Sequence, residues 1–214
     1  CASLIDYRAD YVLVFDIGGG SSELIWLDIS KGNGGSGGEG RRPGVKPAIR
    51  AWTSLPVGVV TLAERFGGHH VTPESFEEMV AYVAGLVAPF ESLHAFRALA
   101  EGRSVHLLGT SGTVTTVAGI HLGLRRYDRS RVDGCWLSVP DVKSVTSALL
   151  LRSYEERVAE PCIGQERADL VLAGCAILEA ILRTWPADRL RVADRGLREG
   201  ILATLMNEDG VYRA

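Results

Sequence analysis

Tyr11-Val-Leu-Val-Phe-Asp-Ile-Gly-Gly-Gly-Ser-Ser-Glu23 is the stretch from which the 214-residue chain is best read. Tyr11–Asp16 is a short apolar run stopped by three glycines, which suits a strand buried on both faces. Glycine has no Cβ, so the backbone at Gly18, Gly19 and Gly20 can approach a ligand closely. Successive N–H groups in such a turn can face one concavity, a nest suited to phosphate oxygens. Ser21 and Ser22 add hydroxyl donors. Asp16 and Glu23 set two carboxylates beside that nest. Carboxylates repel phosphate, so their chemistry points to holding a divalent metal or orienting a water molecule. The competing reading is a tight hairpin whose glycines serve only the turn. No GK[ST] follows, which excludes a P-loop. GxGxxG is absent and a strand follows, which excludes the dinucleotide fingerprint.

Outward from this hairpin, Glu23–Ile29 is a second strand, and Ile49–Leu55 alternates apolar and polar residues as a half-buried third. The short first connection makes the first two antiparallel. Between strands two and three the low-complexity, locally basic run from Lys31 to Gly44 predicts a flexible hairpin insertion over 31–47, read as a solvated tip without chemistry of its own, with a phosphate-attracting flap as the alternative. Thr72-Pro-Glu signals a helix start, and Phe76, Met79, Val80, Val83, Val87 and Phe90 recur at helical spacing as a core-facing stripe. Pro89 should kink or end that helix. Val105–Leu108 is a buried strand running into Gly109-Thr-Ser-Gly-Thr113. This second loop opens a helix, so free N–H groups and the positive dipole end face the same place. The alternative for it is an ordinary helix cap. Ser138-Val-Pro-Asp141 resembles a capping box. Glu166–Arg183 reads as one long buried helix, Leu190–Ala193 as the last strand, and Arg195–Gly200 as the lead into a last helix.

The order predicts an α/β domain: a mixed five-stranded sheet flanked by helices, with right-handed crossovers. It resembles one lobe of the actin-like ATPase and sugar-kinase (ribonuclease H-like) fold, which pairs two lobes about a cleft.

Hydrophobic residues make up 46% and charged residues 23%, enough for a full core; the net charge of -3 supplies no global basic field, which argues against nucleic-acid binding. The four cysteines form no CxxC pair and have no zinc spacing, so they read as reduced thiols of a cytoplasmic protein. His69-His70 has no ligand partner at useful spacing. No apolar run reaches transmembrane length. The chain opens on Cys1 and enters a strand almost at once, which reads as a fragment of something longer on its N-terminal side.

Five blocks, in order, resemble the exopolyphosphatase/guanosine pentaphosphatase (Ppx/GppA) family. They are Asp16–Glu23; Leu55-Pro-Val-Gly-Val-Val-Thr-Leu-Ala-Glu-Arg-Phe66; the Gly109–Ile120 loop and helix; Gln165-Glu-Arg-Ala-Asp-Leu170; and Val192-Ala-Asp-Arg-Gly-Leu-Arg-Glu-Gly-Ile201. The resemblance implies that residues 1–214 are the second, C-terminal lobe of a two-lobed phosphohydrolase. It would remove terminal phosphate from polyphosphate or guanosine pentaphosphate with Mg²⁺, and its first lobe would precede Cys1. It implies phosphate contacts from Gly18, Gly19, Gly20, Ser21 and Ser22, from Gly109, Thr110, Ser111, Gly112 and Thr113, and from Arg167. Asp16 and Glu23 would hold the metal or place the attacking water. Arg167 could equally form a surface ion pair near Glu166 and Asp169. Ser111 stands where many relatives have Ala. The family's first phosphate loop and its water-activating glutamate belong to the first lobe, so the isolated chain is expected to hydrolyse poorly or not at all. A homodimer is among the expected partners. Two rivals share the fold: the ATP-binding lobe of a kinase or ATPase, and a non-catalytic assembly module.

Overall fold

A computed structural model describes residues 2–30 and 47–194. After a single 3-10 turn at Ala2–Leu4, three strands meander: β1 (Tyr11–Ile17), β2 (Ser22–Asp28) and β3 (Ala48–Leu55). The helices α1 (Val59–Phe66), α2 (Pro73–His94) and α3 (Phe96–Leu99) lead to β4 (Val105–Thr110). Then come α4 (Gly112–His121), α5 (Arg129–Val132), β5 (Trp136–Ser138), α6 (Val139–Leu150), α7 (Tyr154–Val158), α8 (Val171–Thr184) and β6 (Arg189–Ala193). The insertion predicted over 31–47 lies outside the described residues apart from Pro47, as does the motif from Arg195 onward.

The sheet has six strands in the order β3-β2-β1-β4-β6-β5, where the sequence predicts five. The extra strand is β5, three residues long and antiparallel to the first three residues of β6. A run that short cannot display a period of two. β1 and β2, and β2 and β3, pair antiparallel; β4 lies parallel to β1, and β6 parallel to β4. The turns that follow β1 and β4 therefore leave the sheet at the same edge, the carboxyl ends of neighbouring parallel strands, where open α/β sheets bind ligands.

Alternation decides which side chains enter the core. Leu13, Phe15 and Ile17 of β1, Leu24 and Trp26 of β2, Leu107 of β4 and Leu190 and Val192 of β6 face the helices in one large cluster. Val12, Leu108 and Ala193 face the other side, where Leu4, Ile5 and Ala9 cover them. Trp26 is completely buried and stacks on Phe96 with ring centroids 4.5 Å apart; Trp185 meets its edge at 6.0 Å.

The predicted helix starts hold. Thr72 Oγ1 accepts from the Ser75 N–H, with Pro73 at the first position, and Ser138 and Asp141 form a reciprocal capping box. Two helix boundaries differ. α2 runs through Pro89 to His94, because Val83, Val87 and Phe90 are buried on both sides of the proline and outweigh the one lost backbone bond. α8 begins at Val171, and residues 165–170 are turn. Glycine lets α8 lie close to α4: a Cβ on Gly174 would fall 2.2 Å from Thr113 Oγ1. No helix among the described residues is long and apolar enough to cross a membrane.

Candidate phosphate site

The turn after β1 is closed by the Gly18 N–H donating to the Ser21 carbonyl at 2.9 Å. Its carbonyls point at α1: the N–H of Val59 donates to Gly18 O and that of Val60 to Gly19 O, both at 2.9 Å. The glycine turn thus caps a helix N-terminus through its own carbonyls. Gly58 makes this approach possible, since a Cβ there would lie 2.4 Å from the Gly19 carbonyl group. The N–H groups of Gly19, Gly20 and Ser21 take no acceptor among the described residues. Among the described residues, none beyond its chain neighbours lies within 4 Å of where a Gly20 Cβ would stand.

The turn after β4 is tighter than the sequence suggests. Gly109 and Thr110 belong to the strand, pairing with Val192 and Ala193 of β6 on one side and with Phe15 and Asp16 of β1 on the other. Gly109 is a packing glycine: a Cβ would fall 2.7 Å from the Phe15 ring. Ser111 alone makes the turn, with φ 154° and ψ 165°. That region belongs almost wholly to glycine and costs a serine about 1–3 kcal/mol. Ser111 Oγ accepts from the Val114 N–H at 3.2 Å, which leaves the Gly112 and Thr113 N–H groups open at the positive end of α4.

Ile17, Gly18 and Gly19 from the first turn, Gly112, Thr113 and Thr116 from α4, Val59 from α1 and Arg167 before α8 line one cavity of about 170 Å³. The Arg167 guanidinium lies over Gly112, with Nη1 3.5 Å from where a Cβ would stand, and it forms no ion pair among the described residues. The surface ion-pair alternative for Arg167 therefore finds no partner in Glu166 or Asp169. A second cavity of about 420 Å³ shares Gly112 and Arg167 and adds Thr115, Tyr127, Gly164 and Asp194. There the Tyr127 hydroxyl donates to Asp194 Oδ2 at 2.7 Å, and Arg129 donates to the Asp194 carbonyl. A larger cavity of about 740 Å³, walled by Trp26, Arg97, Arg103 and Trp185, shares none of these residues. Backbone N–H donors at strand ends, and not volume, mark the smaller pair.

Asp16 and Glu23 are cross-strand partners on the sheet face opposite Ile17, so they flank the glycine turn without lining the cavity. Burial pushes the Asp16 carboxyl above its usual range, the Glu23 charge adds to the rise, and the Thr110 hydroxyl opposes it. Glu23 Oε1 accepts from Ser21 Oγ at 2.8 Å and from Ser54 Oγ at 2.9 Å. Among the described residues no cluster of three or more His, Cys, Asp or Glu side chains could hold a metal ion. Two hard carboxylates fit an ion such as Mg²⁺ that keeps several waters and draws its remaining ligands from substrate phosphate. Ser22 departs from its predicted place: it is fully buried, and its hydroxyl donates to the Val57 carbonyl at 2.7 Å.

The model of the Ppx/GppA phosphatase family matches residues 2–209. The chain belongs to the Ppx/GppA phosphatase family. Among curated proteins it is 24% identical over 198 residues to the guanosine-5'-triphosphate,3'-diphosphate pyrophosphatase of Aeromonas hydrophila, covering 92% of this chain and 34% of that protein. It is likewise 24% identical over 186 residues to the bifunctional 3-dehydroquinate synthase/phosphatase of Fusobacterium nucleatum, covering 86% of this chain and 24% of that one. The crystal structure of the type II variant of the Aquifex aeolicus Ppx/GppA phosphatase superposes with a TM-score of 0.72 at 26% identity, over 92% of this chain and 58% of that one. The fold is the one expected, a lobe of actin-like ATPase type, with a sixth strand added. The chain spans about a quarter to a third of these curated relatives and somewhat over half of the solved one.

Sequence reasoning missed Gly58, whose place directly before a helix was the available signal, and Thr116.

Proposed function

We propose that this chain is the phosphate-binding lobe of a phosphohydrolase that removes terminal phosphate from inorganic polyphosphate or guanosine pentaphosphate. What supports this most is the convergence of two strand-end turns and one guanidinium, without an ion pair among the described residues, on a single small cavity. Open N–H groups from Gly19, Gly20, Gly112 and Thr113 would receive phosphate oxygens, and Arg167 would add a planar, charged donor. Such donors are fixed before the substrate arrives, so they need no reorganisation as charge develops on the transferring group. Asp16 and Glu23 would hold Mg²⁺, which when bound would offset the negative charge of the transferring phosphate. Glu23, steadied by two serine hydroxyls beside the glycine turn, would orient an attacking water toward phosphorus. In this reading the rest of the site comes from an N-terminal lobe, and this chain alone binds phosphate but turns over poorly.

The test is Glu23→Gln in a protein that carries both lobes, assayed by phosphate release from polyphosphate. The expected result is a fall in kcat of about a hundredfold or more with KM changed less than threefold. A change in KM alone would remove Glu23 from the chemical step.

A further inference from the structure

Ser111 holds a backbone conformation that serine resists, and the structure shows what opposes its relaxation. The Ser111 carbonyl accepts from the Thr115 N–H at 3.2 Å and from Thr115 Oγ1 at 2.9 Å. The same hydroxyl lies 3.2 Å from the Gly112 carbonyl. A trans peptide is planar, with its C=O and N–H pointing in opposite directions. Ser111 C=O is the plane-mate of the Gly112 N–H, and Gly112 C=O is the plane-mate of the Thr113 N–H. Fixing those two carbonyls along α4 therefore aims the two amides outward, toward the cavity that Gly112 and Thr113 line. Thr115 is itself 4% exposed, and its hydroxyl is placed on these carbonyls. Tyr127, hydrogen-bonded to Asp194, lies within hydrogen-bonding reach of the Thr115 hydroxyl.

We infer that Thr115 is a positioning residue for anion binding: its hydroxyl keeps the Ser111 and Gly112 peptide planes in the orientation that presents the Gly112 and Thr113 amides. The inference rests on the phosphate reading above for its function, and on geometry alone for the peptide orientation.

The experiment compares the full chain with Thr115→Val, which keeps the side-chain shape, and Thr115→Ser, which keeps the hydroxyl. Tripolyphosphate affinity is measured by calorimetry, and the Gly112 and Thr113 amide signals are followed by NMR without ligand. Thr115→Val should weaken tripolyphosphate binding about tenfold, the effect of one well-placed hydrogen bond, and should move both amide signals. Thr115→Ser should restore affinity to within about twofold. Equal losses in the two variants would show a packing role and overturn the inference. If the unmodified chain binds no tripolyphosphate, the phosphate reading falls. The positioning role then stands or falls on the amide signals: unchanged Gly112 and Thr113 resonances in Thr115→Val would refute it.

Discussion

Gly58→Ala tests how the glycine turn is supported. Gly58 has φ -136° and ψ -178°, extended backbone that alanine adopts freely, so the substitution adds no torsional cost. Its effect is steric. The new Cβ would stand 2.4 Å from the Gly19 carbonyl carbon and oxygen and 2.5 Å from Gly18 O, and all of these are backbone atoms with no rotamer to turn away. To reach a tolerable contact of about 3 Å the turn and α1 must separate by more than half an ångström. That movement stretches the Val59-to-Gly18 and Val60-to-Gly19 hydrogen bonds, now 2.9 Å each, to the edge of bonding. Two weakened bonds at about 0.5–1.5 kcal/mol each, with an overpacking cost of about 1–3 kcal/mol, place the loss of stability at about 2–6 kcal/mol. Urea unfolding at unchanged m-value measures it. Gly20→Ala is the control, because among the described residues none beyond its chain neighbours stands within 4 Å of its Cβ, and it should stay within about 0.5 kcal/mol of the wild type. If Gly58→Ala unfolds as late as Gly20→Ala, the turn and helix are not in the contact described.

Two further predictions concern ionisable groups whose pKa burial shifts. Asp16 has its carboxyl pKa raised chiefly by burial, so ionising it costs stability that is intact below the unfolded-state pKa and lost as pH rises through the folded one. Asp16→Asn should therefore be more stable than the wild type at pH 7 and indistinguishable from it near pH 3 in thermal melts; a variant less stable at pH 7 would contradict the account. Neither ring nitrogen of His106 has a hydrogen-bond partner among the described residues, and burial foremost lowers its pKa from 6.5 to about 4. The unfolded chain takes up that proton first, so stability should decline by roughly 3 kcal/mol as pH falls from 6.5 to 4. His106→Leu should remove most of that slope in denaturation curves collected across this range, and an unchanged slope would place the titrating group elsewhere.

Much of the architecture was legible because period and punctuation agreed. The apolar run of β1 ending in three glycines, the Thr72-Pro73 start and the Ser138 box each combine a hydrophobic pattern with a specific terminal chemistry. What failed did so where tertiary packing overrides local signals. β5 is a strand only because β6 lies beside it, and α2 passes Pro89 because buried side chains hold both halves. At the site, Gly109 looked like part of a loop but is a packing glycine under Phe15. Ser22 was readable in principle: strict alternation puts it on the face of Leu24 and Trp26, inside the core. The strained torsion at Ser111 and the helix-capping carbonyls of Gly18 and Gly19 have no counterpart in composition or spacing, since they arise from how two strand ends meet α1 and α4.

The most direct measurement is a crystal structure of the chain with tripolyphosphate and Mg²⁺. The account predicts a single phosphate group bridging both turns, hydrogen-bonded to amides of Gly19 or Gly20 and of Gly112 or Thr113, with the Arg167 guanidinium on the same group. Phosphates bound to one turn only, or seated in the cleft between Arg97 and Arg103, would contradict it.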